Sequence, residues 1–391
     1  MGYASFNNIN NGAESKRIEI AAQGGIMAHK LYFAYGSNLN TTDWQRWCRE
    51  KGLPSNLLSP AGIGFLPDQE LVFDYYSSSR RGGALDLKPR AGQLVEGVFF
   101  EVEDGGWEVL DRKEGAPNCY EQFDTVALTS DGAELPVTTY RVCENKRAGF
   151  VVPTDEYVAL VRKGLEEHNL DHAMLDMVSR NETPPLAVHA IFVYGTLMRG
   201  ECRFSVLAKH GLKCILLAET PGRLLDLGSF PGMLAPNAAD QWVQGEFVRL
   251  RDIGSALKQL DAIEGFRGFG QPDSLYRRAL FDVGVGDGRI RPAWTYLIND
   301  HHCGAPAISS GSWRQHQERD EDFIKRLVAA YCAENESQLA CVIANRGAFV
   351  PMDSLGEVTE RLLPLTDAVR ARMVSERQLA QATQKWVVTP S

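Results

Sequence analysis

The chain has 391 residues, of which 44% are hydrophobic and 23% charged, and a formal net charge of −9. That length exceeds one ordinary domain of roughly 100–200 residues. The acidic balance argues against nucleic acid or an anionic membrane as partner, and no apolar run reaches the ~18 residues that a bilayer-crossing helix needs.

Residues 1–27 are polar and rich in Asn, Gly and Ala, and lack the apolar core of a leader peptide. They read as a disordered tail, or as sequence upstream of a start at Met27, and a cytoplasmic location is expected. An apolar run, Leu31 to Ala34, stops at Tyr35-Gly36-Ser37-Asn38-Leu39, which predicts a strand entering a tight polar loop, with a helix from Asn40 to Glu50. Leu94–Val102 reads as a strand, followed by a short helix that ends at Glu114-Gly115. β-Patterned runs follow at 123–128 and 137–142. Thr154 to Asn169 predicts a helix with Thr154 as N-cap and Glu156 in its first turn. Two prolines at 184 and 185 mark a linker.

The order then recurs. Ile191 to Val193 runs into Tyr194-Gly195-Thr196-Leu197, Trp242–Leu250 reads as a strand, a helix ends at Glu264-Gly265, and β runs return at 276–283 and 293–298. Tyrosine to glutamate spans 114 − 35 = 79 residues in the first half and 264 − 194 = 70 in the second. Two dissimilar motifs in one order at similar spacing indicate a duplicated domain. The expected divisions are 28–180, 188–318, and a charged helical extension over 319–391 with a packing or oligomerisation role. Strand-rich halves with few helices predict an α+β fold of two mixed β-barrels.

The eight cysteines, Cys48, Cys119, Cys143, Cys202, Cys214, Cys303, Cys332 and Cys341, form no CxxC pair and read as reduced, mostly buried thiols. His301-His302-Cys303 is too local to converge on one ion. No metal and no cofactor is expected.

A Tyr-Gly-Ser-Asn turn after a strand presents successive backbone N–H groups and side-chain donors, a nest suited to a carboxylate or phosphate. By itself such a turn is more often structural. A glutamate at a helix end is usually solvated, yet one that projects into a cavity can carry a raised pKa and shuttle a proton. Recurrence of Glu114 and Glu264 after the same Leu-Asp pair favours the second reading.

Together these residues resemble the γ-glutamylcyclotransferase family. The first half carries FAYGSNL at 33–39, RGGALDL at 81–87, LDRKEG at 110–115 and a late Tyr157, and is similar to the branch acting on glutathione and γ-glutamyl peptides and to the butirosin-type deprotecting enzyme. The second carries FVYGTLMRG at 192–200, FPGM at 230–233, LDAIEGF at 260–266, LYRR at 275–278 and SGSW at 310–313, and resembles the γ-glutamylamine, AIG2-like branch.

The resemblance implies that Tyr35, Gly36, Ser37, Asn38 and Leu39, or Tyr194, Gly195, Thr196 and Leu197, grip the α-carboxylate of a small γ-glutamyl amide. Glu114 or Glu264 moves a proton while the α-amine attacks the γ-carbonyl and releases 5-oxoproline. Tyr120 and Tyr276 resemble the family's pocket-border tyrosine, with a core role nearly as good a reading. Arg277 reads as structural, and Trp313 as packed on the second barrel. Asn118-Cys119 before Tyr120, and the stretch Arg267–Ser274 inserted in the second half, depart from the family pattern and leave the leaving amine unassigned. The alternatives are that one half is a non-catalytic binding or dimerisation module, or that the whole is a stress-response interaction protein. The oligomeric state is not set by the sequence.

Overall fold

The computed structural model describes residues 30–129, 132–236, 241–299 and 304–317. The expected tail over 1–27, the extension over 319–391, the His301–Cys303 triplet, Cys332 and Cys341 lie outside the described residues.

The chain enters the first barrel at β1 (Leu31–Ala34), followed by a 3₁₀ turn at Ser37–Leu39 and helix α1 (Thr41–Lys51). Asn40 caps α1, accepting the Asp43 N–H on its side chain, so this helix begins where the sequence predicts. Two long strands, β2 (Leu58–Ser77) and β3 (Gly82–Val102), form an antiparallel hairpin, with register shifts at Pro60/Gly62, Pro67/Gln69 and Val72/Tyr75. Bulges of this kind bend a long ribbon and let it serve a barrel wall. Helix α2 (Gly106–Glu114) precedes β4 (Tyr120–Thr129) and β5 (Glu134–Val142). The strands close in the order β1-β3-β2-β4-β5. Parallel pairing of β1 with β5, Leu31 opposite Val137, completes the ring.

Closure leaves no sheet edge and gives β1 two buried faces, which is why all four of its residues are inside. Phe33 and Phe99 meet edge to face at 5.4 Å in the interior. Helix α3 (Asp155–Glu167) starts at Thr154, whose side chain accepts the Tyr157 N–H, as the sequence indicates. The shorter α4 (Ala173–Val178) follows.

The second half has β6 (Ala190–Val193), α5 (Phe204–Ala208), β7 (Leu212–Pro221), β8 (Arg223–Asp226), β9 (Pro231–Leu234) and β10 (Trp242–Leu250). Then come α6 (Ile253–Glu264), β11 (Tyr276–Val285), β12 (Ile290–Ile298) and α7 (Trp313–Gln317). Its barrel closes as β10-β6-β12-β11-β7, with a separate β8-β9 ribbon. Matching β6 to β1, β7 to β2, β10 to β3, β11 to β4 and β12 to β5 reproduces the first barrel's cyclic order. Parallel β6–β12 pairing, Ile191 opposite Trp294, again closes the ring.

Trp313 is 1% exposed and buried as expected. Its segment docks on β10, where the Gln244 N–H donates to the Gly311 carbonyl at 2.8 Å. Among the described residues no helix is long and apolar enough to cross a membrane.

Candidate active site

Glu114 and Glu264 occupy the same local position in the two halves. Each is the last residue of its helix, and each is followed by a C-capping glycine in the left-handed region, Gly115 at φ 65° and Gly265 at φ 64°. The glycine N–H turns back to the carbonyl of Asp111 or Asp261, and the next N–H, from Ala116 or Phe266, reaches the same carbonyl at 2.9 Å. A Cβ is disfavoured at that φ, so the Glu-Gly pair is a requirement of the turn that aims the carboxylate.

A second tether, missed in the sequence reading, fixes each helix end. The Tyr140 hydroxyl donates to Asp111 Oδ1 at 2.6 Å, and the Tyr296 hydroxyl to Asp261 Oδ1 at 2.7 Å. The preceding threonines lock the strand alongside, Thr139 Oγ1 donating to the Phe33 carbonyl at 2.7 Å and Thr295 Oγ1 to that of Phe192 at 3.1 Å. The signal was present as a third repeat, Thr-Tyr after each glutamate, but it lay inside runs read only as strands.

In the first half, Asn38 sits on the 3₁₀ turn and its Nδ2 donates to Glu114 Oε1 at 2.7 Å and to the Tyr32 hydroxyl at 2.9 Å. Glu114 keeps partial exposure, yet burial raises its carboxyl pKa above the usual range, opposed by Lys113, the Asn38 hydrogen bond and Arg80. Lys113 Nζ is turned to Asp43 Oδ2 at 3.1 Å, and Arg80 Nη2 reaches the same atom at 2.9 Å. The cations nearest Glu114 are therefore already paired.

The other residues named from the first-half motifs have defined partners. The Tyr35 hydroxyl donates to the Tyr140 carbonyl at 2.8 Å, and the Tyr120 hydroxyl to the Leu85 carbonyl at 2.7 Å, so both hydroxyl hydrogens are committed to the barrel. Leu39 is fully buried and its N–H donates to the Gly36 carbonyl at 3.0 Å. That N–H is thus engaged inside the turn. Gly36 has open space beside it, since an added Cβ would meet nothing closer than Leu85 at 3.9 Å. Ser37 bonds the Tyr157 hydroxyl, whose pKa is pushed up to about 12, chiefly by burial.

In the second half, Tyr194, Gly195, Thr196 and Leu197 follow β6, and the Tyr194 hydroxyl accepts the Met233 N–H at 3.2 Å. Gly195 is there for a different reason from Gly36: a Cβ would come within 2.6 Å of Pro231 Cγ. Glu246, not singled out in the sequence, is 1% exposed, and accepts the Arg199 N–H at 2.7 Å and Arg314 Nη2 at 3.1 Å. Tyr276 opens β11 and is buried. Arg277, read from the sequence as structural, has Nη1 3.8 Å from Glu134 Oε1, and its neighbour Arg278 is fully buried. The Arg278 guanidinium carbon lies 5.0 Å from the Phe266 ring centre and 5.1 Å from that of Phe269, and Nη1 is 3.5 Å from Asp261. The inserted stretch 267–274 thus adds Phe269 beside Phe266 in the aromatic cover over a buried cation.

Behind the first site, Asp86 is fully buried. It accepts the Val142 N–H at 2.7 Å and Arg147 Nε at 2.9 Å, and it pairs with Asp74. Burial, together with the Asp74 charge, lifts its pKa to about 6 against the pull of Val142 and Arg147. The folded state therefore holds an extra proton between the unfolded value of about 3.9 and this raised value, and stability falls as pH rises through that window. Asp86→Asn should flatten that part of the profile. Urea midpoints near pH 5 and near pH 7.5 test this, and an unchanged difference between them in the variant would refute it.

Five cysteines among the described residues, Cys48, Cys119, Cys143, Cys202 and Cys214, are free thiols, and these residues contain no cluster of His, Cys, Asp and Glu able to hold a metal ion.

A family model described as gamma-glutamyl cyclotransferase, AIG2-like, matches the chain twice, over residues 32–159 and 191–315. A Vibrio cholerae protein provisionally named gamma-glutamylcyclotransferase is 31% identical over 127 residues, covering 32% of this chain and 96% of that protein. The gamma-glutamylcyclotransferase of Bos taurus is 26% identical over 149 residues, 36% of this chain and 72% of its own. A solved structure of a gamma-glutamyl cyclotransferase superposes with a TM-score of 0.34 at 22% identity, covering 40% of this chain and 89% of its own.

Proposed function

Since the chain belongs to the gamma-glutamyl cyclotransferase, AIG2-like family in both halves, we propose that it converts small γ-glutamyl amides into 5-oxoproline and a free amine, with one catalytic domain over about 28–180 and a second over about 188–318. The observation that carries this reading is the Glu114 carboxylate: a helix-end group with a raised pKa, held at 2.7 Å by Asn38 beside an open loop.

The chemistry asks little beyond orientation and one proton carrier. The first part of the Tyr35–Leu39 loop, with its N–H groups and Ser37, receives the α-carboxylate. Glu114 takes a proton from the α-ammonium, the freed amine attacks the γ-carbonyl of the same molecule, and Glu114 returns that proton to the departing nitrogen as the amide C–N bond breaks; the ring nitrogen's second proton then leaves through the re-ionised Glu114 to the departing amine or to solvent. A carboxylate whose pKa is raised by burial suits both steps, since it takes up a proton more readily than a solvated carboxylate and can still return it. Ring closure within one bound molecule draws on effective molarities that supply about 7–11 kcal/mol. The scattered free thiols speak for a reducing compartment, and we place the reaction in the cytoplasm.

Glu264 has the same helix-end, glycine-capped and tyrosine-tethered placement, which supports a second catalytic centre. One sequence difference favours a binding role for that half instead: Leu197 stands where the first loop has Asn38, and offers no side-chain donor to a carboxylate.

The deciding experiment is mass-spectrometric detection of 5-oxoproline from a panel of γ-glutamyl amino acids and γ-glutamyl amines, with full-length protein and with Glu264→Gln. Release by the unsubstituted protein supports the reaction. Glutamate release instead would mean that water is the nucleophile and would sink the cyclisation. Activity untouched by Glu264→Gln on every substrate would make the second half the binding module.

A further inference from the structure

Arg278 is fully buried on β11 among the Phe266, Phe269 and Trp294 rings. Its Nε and Nη1 have no hydrogen-bond partner. Nη2 finds one outside its own barrel, donating to Asp68 Oδ2 on β2 of the first. Asp68 occupies an unusual place. β2 and β3 lose register between Pro67 and Gln69, and Asp68, in that gap, takes a left-handed φ of 57°. Aspartate tolerates that conformation better than most residues, and such a bulge re-aims the side chain. The Gly92 N–H, from the slipped stretch of β3, fixes the carboxylate by donating to Oδ1 at 2.7 Å. The same stretch lies against α6, since a Cβ on Gly92 would come within 3.0 Å of Leu257 Cδ1. The irregularity therefore touches both the helix that ends in Glu264 and the cation beside that helix end.

Resting on the reading of Glu264 as a second proton carrier, we propose that Asp68 is a positioning residue for that site, supplied by the first domain: it holds the Arg278 guanidinium back from Asp261, so that the end of α6 keeps Glu264 in place. Arg278 Nη1 stands 3.5 Å from Asp261 Oδ2, close enough to attract and too long for a strong hydrogen bond. Asp261 organises the helix end. Its Oδ1 accepts the Tyr296 hydroxyl at 2.7 Å, and its backbone carbonyl accepts the Gly265 and Phe266 N–H groups. Burial raises the Asp261 pKa against Arg278 and Tyr296, and the Asp68 charge adds to the rise, which follows from two carboxylates sharing one cation. With Asp68 neutralised, Asp261 is the remaining salt-bridge partner of Arg278 among the described residues. Attraction in a buried setting then draws the guanidinium onto Asp261, in competition with Tyr296, and the turn that aims Glu264 shifts. The first half lacks this arrangement. Gln122, two residues after Tyr120 as Arg278 is after Tyr276, donates directly to Asp111 Oδ1 at 2.9 Å, and a neutral amide needs no counter-ion.

The test is 5-oxoproline release by full-length protein carrying Glu114→Gln, so that the second site is read, with γ-glutamyl-alanine and γ-glutamyl-butylamine as substrates and Asp68→Asn added. Asparagine keeps the size of the side chain, but if its oxygen accepts from Gly92 its amide nitrogen must face Arg278, and the reverse. The expected result is a fall in kcat of roughly 3–30-fold with KM changed less than about twofold. In a Glu264→Gln background, where the first site is read, Asp68→Asn should change kcat less than about twofold. The same small effect is expected at the second site once Arg278→Met has removed the cation, because there is then nothing for Asp68 to hold back. An equal loss at both sites, an unchanged kcat at the second, or an undiminished loss with Arg278→Met in place would each overturn the proposal. If the Glu114→Gln protein with Asp68 intact releases no 5-oxoproline from either compound, the reading of Glu264 as catalytic falls and the Asp68 role falls with it.

Discussion

In a Glu264→Gln background, Glu114→Gln should lower 5-oxoproline release by about 10²–10⁴-fold, the usual contribution of one positioned acid–base group. The change is almost isosteric. A glutamine at 114 still ends α2, still precedes the left-handed Gly115, and still offers an oxygen to Asn38 Nδ2, so the local fold has no reason to move. What disappears is the ability to take and return a proton. The loss should therefore appear in kcat, with KM changed only a few-fold, because the loop that receives the substrate carboxylate is untouched. Glu114 also sets the acid side of the pH profile. Burial holds its pKa above the usual carboxylate range, and a base must be ionised to work, so kcat/KM should fall as pH drops through that raised value. Turnover within about threefold of the parent would remove Glu114 from the mechanism.

The largest expected effect on stability is at Asp43. Its side chain is 3% exposed and is shared by Lys113, itself 5% exposed, by Arg80 and by Arg46. It also lies in the first turn of α1, where the helix dipole favours an anion. Burial alone would raise its pKa, but Arg80 and Lys113 outweigh that and hold it below the ordinary value. Asp43→Ala removes the carboxylate and strands Lys113 among the Trp44 and Trp47 rings, which lie 5.7 Å and 5.4 Å from Nζ. Breaking a buried pair from one side typically costs 3–5 kcal/mol, and about 3 is expected here because Arg80 and Arg46 can turn to water. Urea unfolding followed by tryptophan fluorescence reads it directly. A group with a depressed folded pKa contributes above its unfolded value and loses that contribution as pH falls through the folded one. The gap between parent and variant should therefore be full at neutral pH and narrow in acid. A difference below about 1 kcal/mol at neutral pH would show the cluster to be a solvated one.

Local rules were enough for much of this molecule. Strand runs, the Thr154 cap, the helix at 40–50 and the two Glu-Gly helix ends could be read from neighbouring residues, because caps and left-handed glycines act within one turn of chain. The duplication was legible for the same reason, since each half repeats the same local turns in the same order, and the family membership follows from those repeats. The partners of the site residues were not. Asn38 was named for its place in a binding loop, and only barrel closure brings its amide to Glu114, 76 residues away. Asp43 gave no signal in an ordinary amphipathic helix, because its partners Arg80 and Lys113 lie 37 and 70 residues on. Arg277 was rightly read as structural, but the full burial of Arg278 was not foreseen, because the inward face of a strand depends on register with its neighbours. Sequence by itself determined the order of elements and the identity of the repeated motifs. Tertiary structure alone decided which side chains meet, since strand register and ring closure are set by contacts between residues far apart in the chain.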